Sequence, residues 1–128
     1  MLELSPQPNL TPEVAPEKSS TMTVSVEGDI GRDEMAEIGD MLFRLAHRGV
    51  TQIVLDLTDV SHFDYRGVRP LLARAELFRR AGGDIKLSGL SPYVHAIFRS
   101  AGANDAFDYF ASSELAIDAF AKLKTVAD

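Results

Sequence analysis

Ile53-Val54-Leu55-Asp56-Leu57-Thr58-Asp59-Val60-Ser61-His62-Phe63-Asp64-Tyr65-Arg66-Gly67-Val68 is the stretch on which the fold turns. Ile53, Val54 and Leu55 form an unbroken apolar run, the composition of a strand buried on both faces. A polar segment then leads through Asp64-Tyr65-Arg66-Gly67 into a different periodicity. From Val68 onward, Leu71, Leu72, Ala75 and Phe78 recur at helical spacing. A buried strand that feeds a helix through a short loop belongs to an α/β sheet.

The same alternation extends in both directions. Upstream, Thr21-Met22-Thr23-Val24-Ser25-Val26 alternates small polar with apolar residues and reads as a strand. Gly28 and Gly31 bracket an expected turn. Met35, Ile38, Leu42, Leu45 and Ala46 then share one helix face, with Asp33 and Glu34 at its start and Gly49 at its stop. The expected strand at the centre is Gln52–Leu57, and the second helix covers roughly Gly67 to Ala81, closed by Gly82-Gly83. Asp84–Ser88 is another strand. Ser91-Pro92 is an N-cap followed by a proline at the first helical position. The third helix buries Val94, Ile97 and Phe98 and ends at Gly102. Phe107–Phe110 is a short strand. Ser113 caps a last helix with Leu115, Ile117, Phe120 and Leu123 as its apolar positions. The order β-α-β-α-β-α-β-α implies a mainly parallel or mixed sheet of roughly four to five strands with about four helices packed against it.

Residues 1–20 carry Pro6, Pro8, Pro12 and Pro16, too many for a helix or a central strand. They read as an extended N-terminal arm, or as a leader unrelated to the fold, ahead of a domain at 21–125.

Composition narrows the function. The 128 residues fit one domain, and 45% hydrophobic with 25% charged residues is ordinary for a soluble protein. The net charge of −6 argues against binding to nucleic acid or to an anionic membrane through overall charge. The absence of cysteine removes thiol chemistry and disulfides. No segment has the length and apolarity of a membrane span, and the N-terminus lacks the pattern of a signal peptide, so the expected setting is cytoplasmic. Glycine-rich phosphate loops and a nucleophile elbow are missing. His47, His62 and His95 are scattered and read as surface or turn residues, not as metal ligands. No enzyme, cofactor or metal site is expected.

The central stretch resembles the STAS family, whose best-known members are bacterial anti-sigma factor antagonists. In that family an apolar strand and an Asp are followed by Asp-Ser-Ser-Gly or Asp-Ser-Thr-Gly leading into a helix. Asp64-Tyr65-Arg66-Gly67 occupies that slot here. Gly28-Asp29-Ile30, Gly82-Gly83-Asp84-Ile85-Lys86-Leu87, Ser91-Pro92-Tyr93-Val94 and Ser100-Ala101-Gly102 with Phe107 resemble further landmarks of the family in the same order, over about residues 21–120. The resemblance implies a STAS fold. It also implies a regulatory module that binds an anti-sigma factor and serine kinase of histidine-kinase-like fold, or a related scaffold. A second copy of the chain is a further candidate partner. A subunit of a transporter-associated complex and a small-molecule sensor at the strand ends are the alternatives.

The chain departs from the family at one place. Phosphorylation of the serine before the motif glycine dissolves the family's complexes, and here that position is Arg66, preceded by Tyr65. No phosphorylation is expected there; Ser61, Ser88 and Ser91 remain as other acceptors. An arginine at a helix start is disfavoured by the dipole. Either a local pair with Asp64 offsets this, or Arg66 reaches an acidic or phosphorylated partner. Along the second helix, Arg69, Ala73, Leu77 and Arg80 form an outward, basic stripe. The candidate partner-binding residues are therefore Asp64, Tyr65, Arg66, Gly67, Arg69, Ala73, Leu77 and Arg80. A merely solvated helix face is the competing reading.

Overall fold

The computed structural model describes residues 21–127, with side chains as far as residue 122. The proline-rich arm at 1–20 and the side chain of Leu123 lie outside the described residues.

Strand β1, Thr21–Ile30, buries Met22, Val24 and Val26 on one side, as its alternation predicts. It does not turn at Gly28. It continues to Ile30 through two register shifts against its neighbour, between Ser25 and Glu27 and between Gly28 and Asp29. Gly28, with a φ of 85°, supplies the left-handed backbone needed there. Strand β2, Gln52–Phe63, likewise outruns the expected end at Leu57. Its second half pairs with the extension of β1, where Glu27 meets Asp59 and Ile30 meets Phe63. Polar residues hide this half because only Val60 and Phe63 beyond Leu57 are buried.

Strand β3, Asp84–Ser88, and strand β4, Tyr109–Phe110, complete the sheet. The order is β1-β2-β3-β4 and every pair is parallel. β4 is shorter than expected. Phe107 is buried, but only Tyr109 and Phe110 pair, with Leu87 and Ser88.

Helices α1 (Arg32–His47), α2 (Val68–Arg80) and α3 (Pro92–Ser100) connect successive strands. They share one core with the sheet, in which Ile38, Leu42, Leu71, Val94 and Phe98 meet Ile53, Leu55 and Leu87. In α1 the face sits differently from the expected one: Met41 is buried and Ala46 is exposed. In α3, Ser91 caps the helix by accepting from the Val94 amide at 3.1 Å, and Pro92 opens it. Ile97 is only half-buried.

Helix α4, Ser113–Ala127, covers the other face of the sheet. Of the expected apolar positions Phe120 is buried, but Leu115 and Ile117 are exposed, at 52% and 39%. The contact is made by Ala116 and Phe120 against Val54 and Phe110. The small Ala116, fully buried, lets the helix approach the sheet, and the larger neighbours on either side are turned outward.

The turn after α2 is tight. Gly82 has a φ of 92°, and a side chain on Gly83 would overlap the Thr51 carbonyl. Among the described residues no helix is long and apolar enough to cross a membrane.

Candidate functional site

The loop after β2 is fixed from both ends. The Asp64 amide donates to the Ile30 carbonyl at 2.9 Å, so the last residue of β1 holds the first residue of the loop. Tyr65–Gly67 then form a single 3-10 turn before α2. Asp64 caps this turn: Oδ1 accepts from the Arg66 amide at 2.9 Å. Gly67 follows because the turn presses on the core. A Cβ there would lie 3.3 Å from Met35 Cγ and 3.3 Å from Phe63 Cε1. Pro70 is the third residue of α2, inside the first turn, where helix amides lack intrahelical partners anyway.

Arg66 folds back on Asp64 in a two-pronged ion pair, with Nε to Oδ1 at 3.1 Å and Nη2 to Oδ2 at 2.8 Å. This is the local pairing of the two expected alternatives. Hydrogen bonds from the Arg66 guanidinium and then from its backbone amide hold the Asp64 carboxyl down at about 2. The Arg66 side chain is still 77% exposed, and Tyr65 beside it is 62% exposed.

Along α2, Val68, Leu71, Ala75 and Phe78 are buried, with Leu72 half-buried. Arg69, Ala73, Leu77 and Arg80 are exposed, Leu77 at 51%. The loop and the stripe thus lie on consecutive turns of one surface.

Three features near the loop escape the sequence. The His62 Nδ1 and the Tyr93 hydroxyl lie 2.7 Å apart, joining the end of β2 to the start of α3. The exposed rings of Tyr65 and Tyr93 border a cleft of about 430 Å³ that also reaches Arg66 and Ile97. A second cleft, of about 600 Å³, opens between α1 and the start of α2. Its lining includes Arg32, Arg66 and Arg74; Arg32 lies more than thirty residues before the other two, so the three share no local pattern. An unexplained glycine in α1, Gly39, was the one available signal.

The histidines do not form a set. His47 is exposed beside Phe43. His95 is not a surface residue: its ring packs on Tyr109 at 4.3 Å, and its Nε2 is buried with no hydrogen-bond partner among the described residues. No group of three His, Asp or Glu that could hold a metal occurs among the described residues. Of the three serines considered as acceptors, Ser88 is fully buried and Ser91 is engaged as a cap. Ser61 is exposed on β2.

The sequence matches the family described as Mlab, STAS domain, over residues 14–115. The anti-sigma-B factor antagonist of Bacillus subtilis (strain 168) is 26% identical over 98 residues, which make up 77% of this chain and 89% of that protein. Among solved structures, the unphosphorylated anti-sigma factor antagonist SpoIIAA is similar with a TM-score of 0.70 at 23% identity, over 80% of this chain and 89% of that one. The STAS domain of the SulP transporter from Vibrio cholerae gives 0.63 at 16% identity, over 98% of this chain and 97% of that one. At these identities the two structural likenesses are likenesses of fold.

Proposed function

Because the chain belongs to the STAS domain family, we propose that it is a protein-binding regulatory module of the anti-sigma factor antagonist kind, one that is not switched by phosphorylation at its loop. The Bacillus subtilis relative is an antagonist of an anti-sigma factor. The corresponding partner here is a cytoplasmic anti-sigma factor or kinase of histidine-kinase-like fold, or a related scaffold. It docks on Asp64, Tyr65, Arg66 and Gly67 and on the stripe Arg69, Ala73, Leu77 and Arg80.

The observation that carries this reading is the exposed Arg66, paired to Asp64 at the mouth of α2. A phosphate on a serine at this place would sit over free amides at a helix start and add nearly two negative charges. Arg66 has no hydroxyl to modify, and it leaves a permanent positive charge on the same spot. Beside it stands the exposed Tyr65, and further along α2 follow the exposed Arg69, Leu77 and Arg80; tyrosine and arginine are residue types that dominate binding energy in interfaces. In a chain of net charge −6, this local positive charge steers an acidic partner.

The test is a binding titration with a purified anti-sigma factor of histidine-kinase-like fold. Arg66→Ala should weaken binding by about tenfold and Arg66→Glu by more, as expected for loss of a charge-assisted contact and then its reversal. Equal binding by wild type, Arg66→Glu and Leu77→Glu would sink the surface. Indifference of all such partners, with retention on membrane components instead, would move the protein to a transporter-associated complex.

A further inference from the structure

We propose that the cleft between α1 and α2 is a binding site for a small organic anion, a carboxylate or phosphate monoester carrying an apolar body. Its volume of about 600 Å³ falls in the ordinary range for small-molecule sites. Arg32, Arg66 and Arg74 line it, and Asp64 is the single acidic residue that does. Asp64 is already matched by Arg66. Arg32 and Arg74 have no ion pair among the described residues, although the chain has 19 Asp and Glu against 13 Lys and Arg. Exposed arginines without an ion pair among the described residues occur elsewhere on the surface, as at Arg69 and Arg80; what sets Arg32 and Arg74 apart is that they converge with Arg66 on the wall of one cleft, an arrangement suited to an anion.

Gly39 makes room for this arrangement. It is buried in the interior of α1, where glycine weakens a helix. A Cβ at Gly39 would stand 3.0 Å from Arg74 Nη2 and 3.3 Å from its Nε. The missing side chain leaves the Arg74 guanidinium packed closely across α1 at the cleft, where a methyl group would push it aside by a few tenths of an ångström. Met35, Ala36 and Pro70 supply the apolar part of the wall. A bare inorganic ion would leave that part unfilled, and a single carboxylate side chain from a partner would fill little of the volume. The site shares Asp64, Arg66 and Gly67 with the proposed partner surface, while Arg32, Gly39 and Arg74 belong to the cleft alone, so it does not depend on a partner being bound.

The experiment is a titration of the full chain with phenyl phosphate, read by calorimetry and by amide shifts at Gly31, Gly39 and Gly67. Saturable binding is expected, weakened about tenfold by Arg32→Ala or Arg74→Ala, the size of one lost charge-assisted hydrogen bond. Arg48→Ala, an exposed arginine outside both the cleft and the partner surface, should bind as wild type does. Gly39→Ala should fold and yet bind more weakly, an outcome that a purely structural role for Arg74 does not give. Inorganic phosphate should bind less tightly than phenyl phosphate, and phenol should not bind. The proposal is overturned by absence of saturable binding, by equal binding of inorganic phosphate, or by indifference to Arg74→Ala. Self-association that is lost with Arg74→Ala, without uptake of phenyl phosphate, would also overturn it, in favour of a carboxylate from a second copy. None of these readouts involves the protein partner, so the two proposals fail separately.

Discussion

Arg66 and Asp64 are two residues apart, a spacing at which side chains on an α-helix do not face each other. The 3-10 turn brings them together, with the Asp64 carboxylate held at once by the Arg66 amide and guanidinium. This has a consequence in pH. The Asp64 carboxyl falls from its ordinary 3.8 to about 2 in the folded protein. A depressed acid stabilises the fold above its ordinary value, and that contribution fades as the pH falls from 3.8 towards 2. Carboxyl-carbon NMR should therefore place the Asp64 midpoint near 2, and Arg66→Ala should return it towards 3.8. An unmoved midpoint in the variant would show that the guanidinium is not the cause. The place of this loop, its framing Asp and Gly and its lost serine were all legible in the sequence. So was the pairing, as one of two options. Arg74 was not legible, because its place depends on Gly39 in another helix.

Among the elements, the glycines that end helices behave in two ways. Gly49 and Gly102 have φ of 88° and 84°, and open space surrounds them. Alanine there should cost only about 1 kcal/mol, the strain of a left-handed backbone. Gly83 is different, because a side chain would collide with the Thr51 carbonyl that the Asp84 amide uses at 3.0 Å. Gly83→Ala should cost about 2–4 kcal/mol, since backbone has to move and the entry to β3 with it. Urea unfolding of the three variants would check the contrast, and equal losses would refute it. In β4, the Tyr109 hydroxyl donates to the Ala103 carbonyl, and burial pushes its pKa up to about 12. Tyr109→Phe should destabilise by about 1 kcal/mol, the worth of one such bond, at any pH below that range. Strand and helix identities were readable from periodicity, but lengths were not. The second half of β2 has too few buried residues to show an apolar pattern, and its pairing depends on a bulge at Gly28 that no local signal in β2 announces.

At the scale of the molecule, the two faces of the sheet are unequal. One carries three helices and a large core. The other carries α4 on a small cluster, Val54, Ala116 and Phe120 with Phe110 beside it. Lys86 is buried on that side, 4.7 Å from the Phe120 ring centre and 2.8 Å from Asp108. Phe120→Ala should cost about 3 kcal/mol by opening a cavity. In native-state hydrogen exchange α4 should open well before β2 and α2; equal protection across all three would contradict this. The overall α/β order was plain in the sequence because strands and helices alternate strictly. The face of α4 was legible only at Phe120, because a fully buried alanine carries no hydrophobic signal of its own. The strand order β1-β2-β3-β4 has one more implication, for biosynthesis. Each strand docks beside the one translated just before it, so the sheet can be laid down in the order in which the ribosome releases it. The face holding Val54 and Phe110 stays bare until Ser113–Ala127 has been made. That interval is when a nascent chain most needs shielding from its neighbours.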